Sequence, residues 1–245
     1  MKSVIGREFM EKTKYQHMGP SDQNQGLPQP PLEKPVDPSR RLIDLPAPDG
    51  VTVRPIDLTE AIRRRVSLRR FADQPLTLGE LSYLLWATQG VKQVTIRPAT
   101  LRTVPSAGAR HPFETYLLVN QVEGLKPGLY RYLAIAHKLV EHNLGEGIAE
   151  RVLEATLNQR FAVDGAVTFI WSAVAYRSYW RYHERSYRYM HLDAGHVAEN
   201  LYLAVQAVDA GCCVIGAYDD DALNALLGLD GEDEFVIYLA GVGKR

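Results

Sequence analysis

Five arginines lie within nine residues at positions 63–71, where the sequence reads RRRVSLRRF. A guanidinium group is planar, permanently charged and well matched to bidentate contact with phosphate. Ser67 adds a compact hydroxyl donor in the middle of the run. We interpret the stretch as a phosphate-binding segment that holds no catalytic base. The alternative interpretation is a solvated basic face of a helix.

Two local signals predict the helices on either side of this stretch. Asp57 and Glu60 have the spacing of a capping box, so a helix should begin near Leu58 and end among the arginines. Thr77 and Glu80 form a second box, which opens a helix that Gly90 should end. The arginines are therefore expected at the C-terminal end of a short helix.

The remaining periodicities predict a mixture of strands and helices without strict alternation, which is typical of an α+β layered fold. Residues 90–105 are expected to form a loop. Strands are predicted at 113–121, at 128–135 and 137–142 as a hairpin, and at 166–176, 212–217 and 234–241; helices are predicted at 147–157, at 191–210 with Gly211 as the stop, and at 219–227.

The composition excludes several classes of protein. A net charge of -1 gives no overall field that would attract nucleic acid or an anionic membrane. No apolar run has the length that a membrane span needs. The two cysteines, Cys212 and Cys213, are adjacent and form no disulfide framework. We therefore expect a cytoplasmic protein.

The first 50 residues differ in composition from the rest. Residues 23–38 are rich in proline and glutamine, so we expect neither a helix nor a central strand there. We divide the chain into a proline-rich N-terminal arm at 1–50 and one domain at 51–245. The arm is either disordered or wraps a partner subunit with its scattered leucines.

Other groups of polar residues have weaker interpretations. No dinucleotide-binding fingerprint and no zinc-ligand spacing is present, so no metal is expected. Asp193 and His196 are three residues apart and are expected to form a structural hydrogen bond. A basic stripe alternates with aromatic residues and is open to three interpretations: single-stranded nucleic acid, a cap over a planar anionic ligand, or a solvated face. The stripe consists of Arg177, Arg181, Arg185 and Arg188.

Two motifs resemble those of a known superfamily. The spacing R-x-S-x-R-x-F, from Arg65 to Phe71, resembles the opening motif of the flavin-dependent nitroreductase superfamily. The segment PSAGARHP at 105–112 is similar to the form found in its SagB/ThcOx-type thiazole/oxazole dehydrogenase branch. DAGH at 193–196 and the segments at 212–217 and 240–243 follow in the expected order. The resemblance implies a three-layer α+β fold with a mostly antiparallel central sheet flanked by helices, in a homodimer with FMN at its interface.

The same resemblance implies roles for particular residues. Arg69 would lie near the pyrimidine edge of the flavin and raise its reduction potential. The segment at 105–108 would reach the flavin from the other subunit. The complete set of implied FMN-binding residues is Arg65, Val66, Ser67, Arg69, Pro105, Ser106, Ala107, Gly108, Ile215, Gly216, Ala217, Lys244 and Arg245.

The implied reaction is ping-pong hydride transfer through flavin N5, on a small or peptide-borne substrate. Peptide azoline dehydrogenases carry a Lys-Tyr pair at the position that matches Arg181 and Tyr182. Arginine cannot act as a base, so Tyr182 is the catalytic candidate, and oxidation of an azoline is disfavoured. The alternatives are an NAD(P)H-dependent nitro or quinone reductase and a non-catalytic flavin-binding scaffold.

Overall fold

The structure is a computed structural model that describes residues 4–245, so the first three residues of the predicted arm lie outside it. Its helices are α1 (Val4–Lys12), α2 (Leu58–Arg64), α3 (Leu78–Gln89), α4 (Ile148–Ala155), α5 (Ala175–Tyr182), α6 (Ser186–Ala204) and α7 (Asp220–Leu227). Its strands are β1 (Leu42–Asp44), β2 (Val91–Val94), β3 (Thr100–Arg102), β4 (Phe113–Val119), β5 (Gly128–Leu133), β6 (Lys138–Asn143), β7 (Val167–Val174), β8 (Ala210–Ile215) and β9 (Glu234–Lys244).

Seven strands form one antiparallel sheet in the order β1-β6-β5-β4-β7-β9-β8. Side chains alternate between its two faces, as Leu117 and Leu118 of β4 illustrate. Helices α3 and α6 cover the face that contains Leu117, and α4 and α7 cover the face that contains Leu118. The predicted three-layer α+β fold is therefore confirmed.

The helix starts predicted near Leu58 and after Thr77 are confirmed, with one difference at α2. Asp57 Oδ1 accepts hydrogen bonds from the backbone nitrogens of Thr59 at 2.9 Å and Glu60 at 3.2 Å, and the helix ends at Arg64. The Glu60 carboxylate pairs with Arg63 and Arg64 instead of closing a capping box. Thr77 and Glu80 do form the complete box at the start of α3.

Several predicted boundaries are wrong, among them those of the strands predicted at 166–176 and 212–217, which are Val167–Val174 and Ala210–Ile215 in the structure. The expected loop at 90–105 contains the hairpin of β2 and β3, whose strands are too short for a clear alternation. The long helix begins at Ser186 and ends at Ala204, and a 3-10 turn at Val205–Val208 follows it, so Gly211 lies inside β8 and is not a helix stop. The last strand continues past residue 241 to Lys244.

The basic stripe does not lie on one helix. His183 has a φ of 48°, a left-handed conformation that ends α5 and separates it from α6. Arg177 and Arg181 therefore belong to α5, and Arg188 belongs to α6. The stripe is divided between elements that make different contacts.

Residues 23–38 form neither helix nor strand, as their proline content predicts. The segment lies along its own chain, and its carbonyl groups accept hydrogen bonds from side chains of the domain. Pro31 O accepts from Arg177 Nε at 3.0 Å, and Pro35 O accepts from Arg131 Nη2 at 2.8 Å. Strand β1 then pairs with β6 at the edge of the sheet.

A buried ionic cluster lies beneath this segment. The Glu114 side chain is 2% exposed and pairs with Arg177 at 2.5 Å and with Arg131 at 3.4 Å. Glu114 also accepts a hydrogen bond from the backbone nitrogen of Lys34 at 2.9 Å. One carboxylate thus pairs with two buried guanidinium groups and anchors the N-terminal segment.

Glu114→Gln should therefore destabilise the fold strongly, because it leaves Arg131 and Arg177 buried without a counter-ion. We expect the free energy of unfolding to fall by about 3–5 kcal/mol, measured by urea denaturation. Asp164→Asn is the matched control, since Asp164 pairs with Arg160 at 2.7 Å on the surface. Its cost should be under about 1 kcal/mol. Equal losses in the two variants would contradict the role of Glu114.

Candidate functional site

The arginine-rich stretch follows α2 and is hydrogen-bonded to strands β8 and β9 of the sheet. Ser67 forms a parallel bridge with Cys212, and Leu68 N donates to Cys212 O at 2.9 Å. Ala72 N then donates to Lys244 O at 2.9 Å. The segment at 65–72 is therefore held by backbone hydrogen bonds to β8 and then to β9.

Two glycines that face each other across β8 and β9 make room for this segment. A Cβ atom on Gly211 would lie 2.9 Å from the Cβ of Leu68. A Cβ atom on Gly243 would lie 2.6 Å from Phe71 Cγ. Sequence reasoning missed this role, because a glycine in a strand does not indicate which segment approaches it.

The arginines of the stretch divide into two groups. Arg63 and Arg64 pair with Glu60, at 2.6 and 2.5 Å. Arg65 and Arg69 have no carboxylate within 4.0 Å among residues 4–245. Instead, the Arg65 Cζ lies 5.1 Å from the centroid of the Tyr202 ring, and the Arg69 Cζ lies 5.6 Å from that of Phe161. Arg70 has no carboxylate within 4.0 Å in this part of the chain either, so three of the five positive charges remain available to a ligand.

Tyr202 is a site residue that sequence reasoning missed. Its hydroxyl lies 2.9 Å from Ser67 Oγ and accepts a hydrogen bond from Val214 N at 3.3 Å. It thus links α6, β8 and the arginine stretch. Its only signal in the sequence is its place on the helix that begins near DAGH.

The other predicted residues of this region lie at both ends of β8. Ile215 is the last residue of β8, and Gly216 and Ala217 follow it as exposed residues. Lys244 Nζ donates hydrogen bonds to the Glu80 carboxylate and to Val208 O, the latter at 2.8 Å. Arg245 Nε donates to Ala210 O at 3.0 Å. The two C-terminal cations are therefore already held by acceptors of their own chain.

The segment at 105–108 is fixed by Asp193, whose side chain is almost fully buried. Asp193 accepts hydrogen bonds from Ser106 Oγ at 2.6 Å and from Ala107 N at 3.2 Å. Burial raises the pKa of the Asp193 carboxyl. His196 Nδ1 is 4.0 Å from Asp193 Oδ1, which is too long for a hydrogen bond, so the predicted Asp193–His196 bond is wrong.

Tyr182 lies directly against this segment. A Cβ atom on Gly108 would overlap the Tyr182 hydroxyl, and the Gly108 φ of 58° is one that glycine adopts without strain. The ring of Tyr182 packs edge-on against that of Tyr189, with centroids 4.9 Å apart. The catalytic candidate and the 105–108 segment are therefore neighbours in one chain.

The two parts of the predicted site contact different turns of α6. Tyr202 holds the arginine stretch, and Asp193 holds the 105–108 segment. Their separation of nine positions corresponds to roughly 13 Å along a helix. We refer to the arginine stretch and the 105–108 segment, which are held at these two places, as the two half-sites of the predicted site.

Gly243→Ala should displace Phe71 and loosen the arginine stretch, because the added methyl has no space. We expect the free energy of unfolding to fall by about 1–3 kcal/mol in a urea titration. Gly50→Ala is the control, since nothing lies within 4 Å of a Cβ atom at that position. It should change stability by less than about 0.5 kcal/mol. A Gly243→Ala protein as stable as this control would show that the segment does not need the glycine.

His111, which follows the 105–108 segment, makes stability depend on pH. Burial and the nearby charges of Arg102 and Arg110 lower the pKa of His111 from 6.5 to about 3. The unfolded chain therefore binds one more proton in this interval, and stability is lost as the pH falls from 6.5 towards 3. The slope from this group should approach about 1.4 kcal/mol per pH unit.

His111→Asn should remove that contribution, since asparagine does not titrate and tolerates the positive φ of 44° found here. The measurement is urea denaturation of both proteins at a series of pH values. Parallel curves for the two proteins would contradict the assignment.

The comparison with protein families gives one match that covers most of the chain. The model of the nitroreductase family matches residues 62–244. This range starts within α2 and ends at the last residue of β9, so it includes both half-sites.

Two relatives have sequences similar to this one. A Methanocaldococcus jannaschii protein that is named as a nitroreductase is 33% identical over 193 residues, which are 79% of this chain and 93% of the relative. The trifolitoxin-processing protein TfxB of Rhizobium leguminosarum is 29% identical over 154 residues, 61% of this chain. The match spans only 41% of TfxB.

Two solved structures have the same fold. One, from Ralstonia eutropha and described as a nitroreductase, aligns with a TM-score of 0.67 at 27% identity, over 89% of this chain and 99% of that one. The other, a Desulfovibrio desulfuricans nitroreductase described as a complex with FMN, gives a TM-score of 0.54 at 16% identity. It covers 76% of this chain and 85% of that chain.

Two further features are absent from residues 4–245. No helix there is long and apolar enough to cross a bilayer. In the same part of the chain, no three His, Cys, Asp or Glu side chains are grouped as metal ligands.

Proposed function

The chain belongs to the nitroreductase family, and we propose that it is an FMN-dependent oxidoreductase in which the arginine stretch binds the phosphate of FMN. The observation that carries the proposal is that Arg65 and Arg69 have no acidic partner in the described chain, whereas Arg63 and Arg64 have one. A phosphate would supply the missing negative charge. A family neighbour solved with FMN adds support.

The donors at this site fit the flavin. Arg65 and the Ser67 hydroxyl would bind the phosphate and the ribityl chain, and Arg69 would lie along the ring. Backbone groups of Gly216 and Ala217 are exposed at the end of β8, where a flat ring can approach them. Bound FMN would supply two-electron transfer at N5, and the protein would bind and orient it and exclude water. Donor and acceptor would use the same open face in turn.

The proposal includes a homodimer. The half-sites at Ser67 and Ser106 contact different turns of α6, and in the proposed dimer a second copy would bring the 105–108 segment and Tyr182 to the first copy's flavin. Large apolar side chains are exposed on the helices that would form the contact: Leu58 is 64% exposed on α2, and Leu192 is 61% exposed on α6. A contact between two copies through these helices would bury both apolar side chains.

The candidate activities for such an oxidoreductase differ in their substrate. The likeness to TfxB favours a SagB-type oxidoreductase with a peptide-borne substrate. The likeness to the archaeal protein named as a nitroreductase favours an NAD(P)H-dependent nitro or quinone reductase. Steady-state reduction of a nitroaromatic or a quinone by NADH separates the two. A protein that binds reducible FMN and turns over no substrate would be a flavin-binding scaffold instead.

Arg65→Ala should weaken FMN binding by about 10- to 100-fold, since charge-assisted hydrogen bonds contribute about 1.5–3 kcal/mol each. The measurement is quenching of flavin fluorescence as protein is added. Arg63→Ala is the matched control, two residues away and already paired with Glu60. It should bind FMN as the parent does. Equal weakening in both variants would reduce the stretch to a general basic patch and would contradict the proposal.

A further inference from the structure

Two arginines converge on Gly108 from different elements. Arg110 Nε donates a hydrogen bond to Gly108 O at 3.0 Å. Arg181, on α5, approaches from the other side, so that a Cβ atom on Gly108 would lie 2.9 Å from Arg181 Nε. Two guanidinium groups therefore lie beside the same glycine.

Neither guanidinium group has an acidic partner in residues 4–245. Arg177, one turn before Arg181 on the same helix, has Glu114 at 2.5 Å, so α5 carries one neutralised arginine and one that is not. Asp193, the carboxylate that holds the 105–108 segment, already accepts hydrogen bonds from Ser106 and Ala107.

The burial of Arg110 makes the missing counter-ion significant. Arg110 is only 8% exposed, and its Nη groups, which have no acceptor within the described chain, keep contact with solvent. Burial and the charges of Arg181 and Arg97 lower the pKa of Arg110. A largely buried charge is costly unless an opposite charge approaches it. An anionic ligand that reaches the Nη groups from solvent would supply that charge.

Aromatic rings hold both groups in position. The Arg110 Cζ lies 5.5 Å from the centroid of the Trp180 ring, and the Arg181 Cζ lies 5.6 Å from that of Tyr182. Stacking on a ring fixes the plane of a guanidinium group and leaves its N–H edge free for bidentate contact. The pair is thus arranged to bind a carboxylate or a phosphate.

A cleft of about 310 Å³ opens next to Arg181 and Tyr182. Its other walls come from residues 15–24 of the N-terminal arm and from His183 and Arg185, and no Asp or Glu lines it. This volume is at the lower end of the range for sites of small organic ligands. The arm thus forms one wall of a cationic cleft.

We propose that Arg110 and Arg181 form a subsite for the carboxylate or phosphate of a small anionic substrate, with the arm closing the cleft beside it. The assignment to a substrate rests on the proposed function, which brings Gly108 and Tyr182 to the flavin. Arg181 is then a specificity-determining residue. Its guanidinium group carries a fixed positive charge, which favours anions.

The test compares two electron acceptors that differ in charge, 4-nitrobenzoate and its neutral methyl ester, with FMN-loaded protein and NADH as donor. Arg181→Gln should raise the KM for 4-nitrobenzoate about tenfold, from the loss of a charge-assisted hydrogen bond. The KM for the ester and the affinity for FMN should not change. If Arg181→Gln raises the KM for NADH and for no other substrate, the anion that the subsite binds is a phosphate of the electron donor. That result also supports the subsite.

Arg41→Gln is the control, because Arg41 is an exposed arginine that pairs with Glu141 at 3.6 Å, at the far edge of the sheet. It should leave all these constants unchanged. Three outcomes overturn the proposal: equal effects of Arg181→Gln on acid and ester, no effect on any substrate, or a loss of FMN affinity that places the flavin phosphate here.

A separate measurement covers the case in which the proposed function fails. If no substrate is turned over, titration calorimetry with 4-nitrobenzoate and with NAD+ measures binding directly. Binding that Arg181→Gln weakens would keep the anion subsite and reject the oxidoreductase. Binding of neither compound, or binding that is unchanged in the variant, would reject the subsite.

Discussion

The hydrogen bond from Leu68 N to Cys212 O is the contact on which the site depends. It fixes the backbone of the arginine stretch against β8, and the facing glycines at 211 and 243 let the stretch lie close to the sheet. Attachment by the backbone leaves the side chains of Arg65 and Arg69 without an acidic partner in the described chain. The glycines make space for Leu68 and Phe71. Because they have no side chain to pack, they also weaken the strands locally.

Helix α6 determines how the parts of the site are shared. Asp193 in its middle holds the 105–108 segment, and Tyr202 towards its end holds the arginine stretch. A rigid helix keeps these two anchors apart, so under the proposed function each chain would bind the flavin at one place and face the substrate at another. The buried cluster around Glu114 links the second place to the N-terminal arm. The arm is thus connected to the proposed function through α5.

The sequence predicted what is encoded over a few residues. The Thr77 box and the Asp57 cap are local hydrogen bonds between near neighbours, and the structure has both. Strands β4 to β7 carry long apolar runs, which give a clear period. Local patterns also located the arginine stretch, although they could not show which of its arginines would be neutralised by Glu60.

The failures depend on contacts between distant residues. The left-handed His183 divides a run that reads as one helical stripe, and no neighbour of His183 signals it. The partner of Arg177 is Glu114, 63 residues earlier. Asp193 accepts a hydrogen bond from Ser106, 87 residues away, and not from His196, the partner that its spacing suggested. Such pairings follow from the packing of the sheet against α5 and α6, which spacing along the chain does not reveal.

The central claim is that two copies of this chain hold FMN between the arginine stretch of one and the 105–108 segment of the other. Sedimentation velocity with FMN present, recorded in both the protein band and the visible flavin band, tests it most directly. The account predicts that flavin absorbance sediments with a species of twice the 27.5 kDa chain mass, at one FMN per chain. Protein that sediments as a single chain while the flavin stays unbound would contradict it.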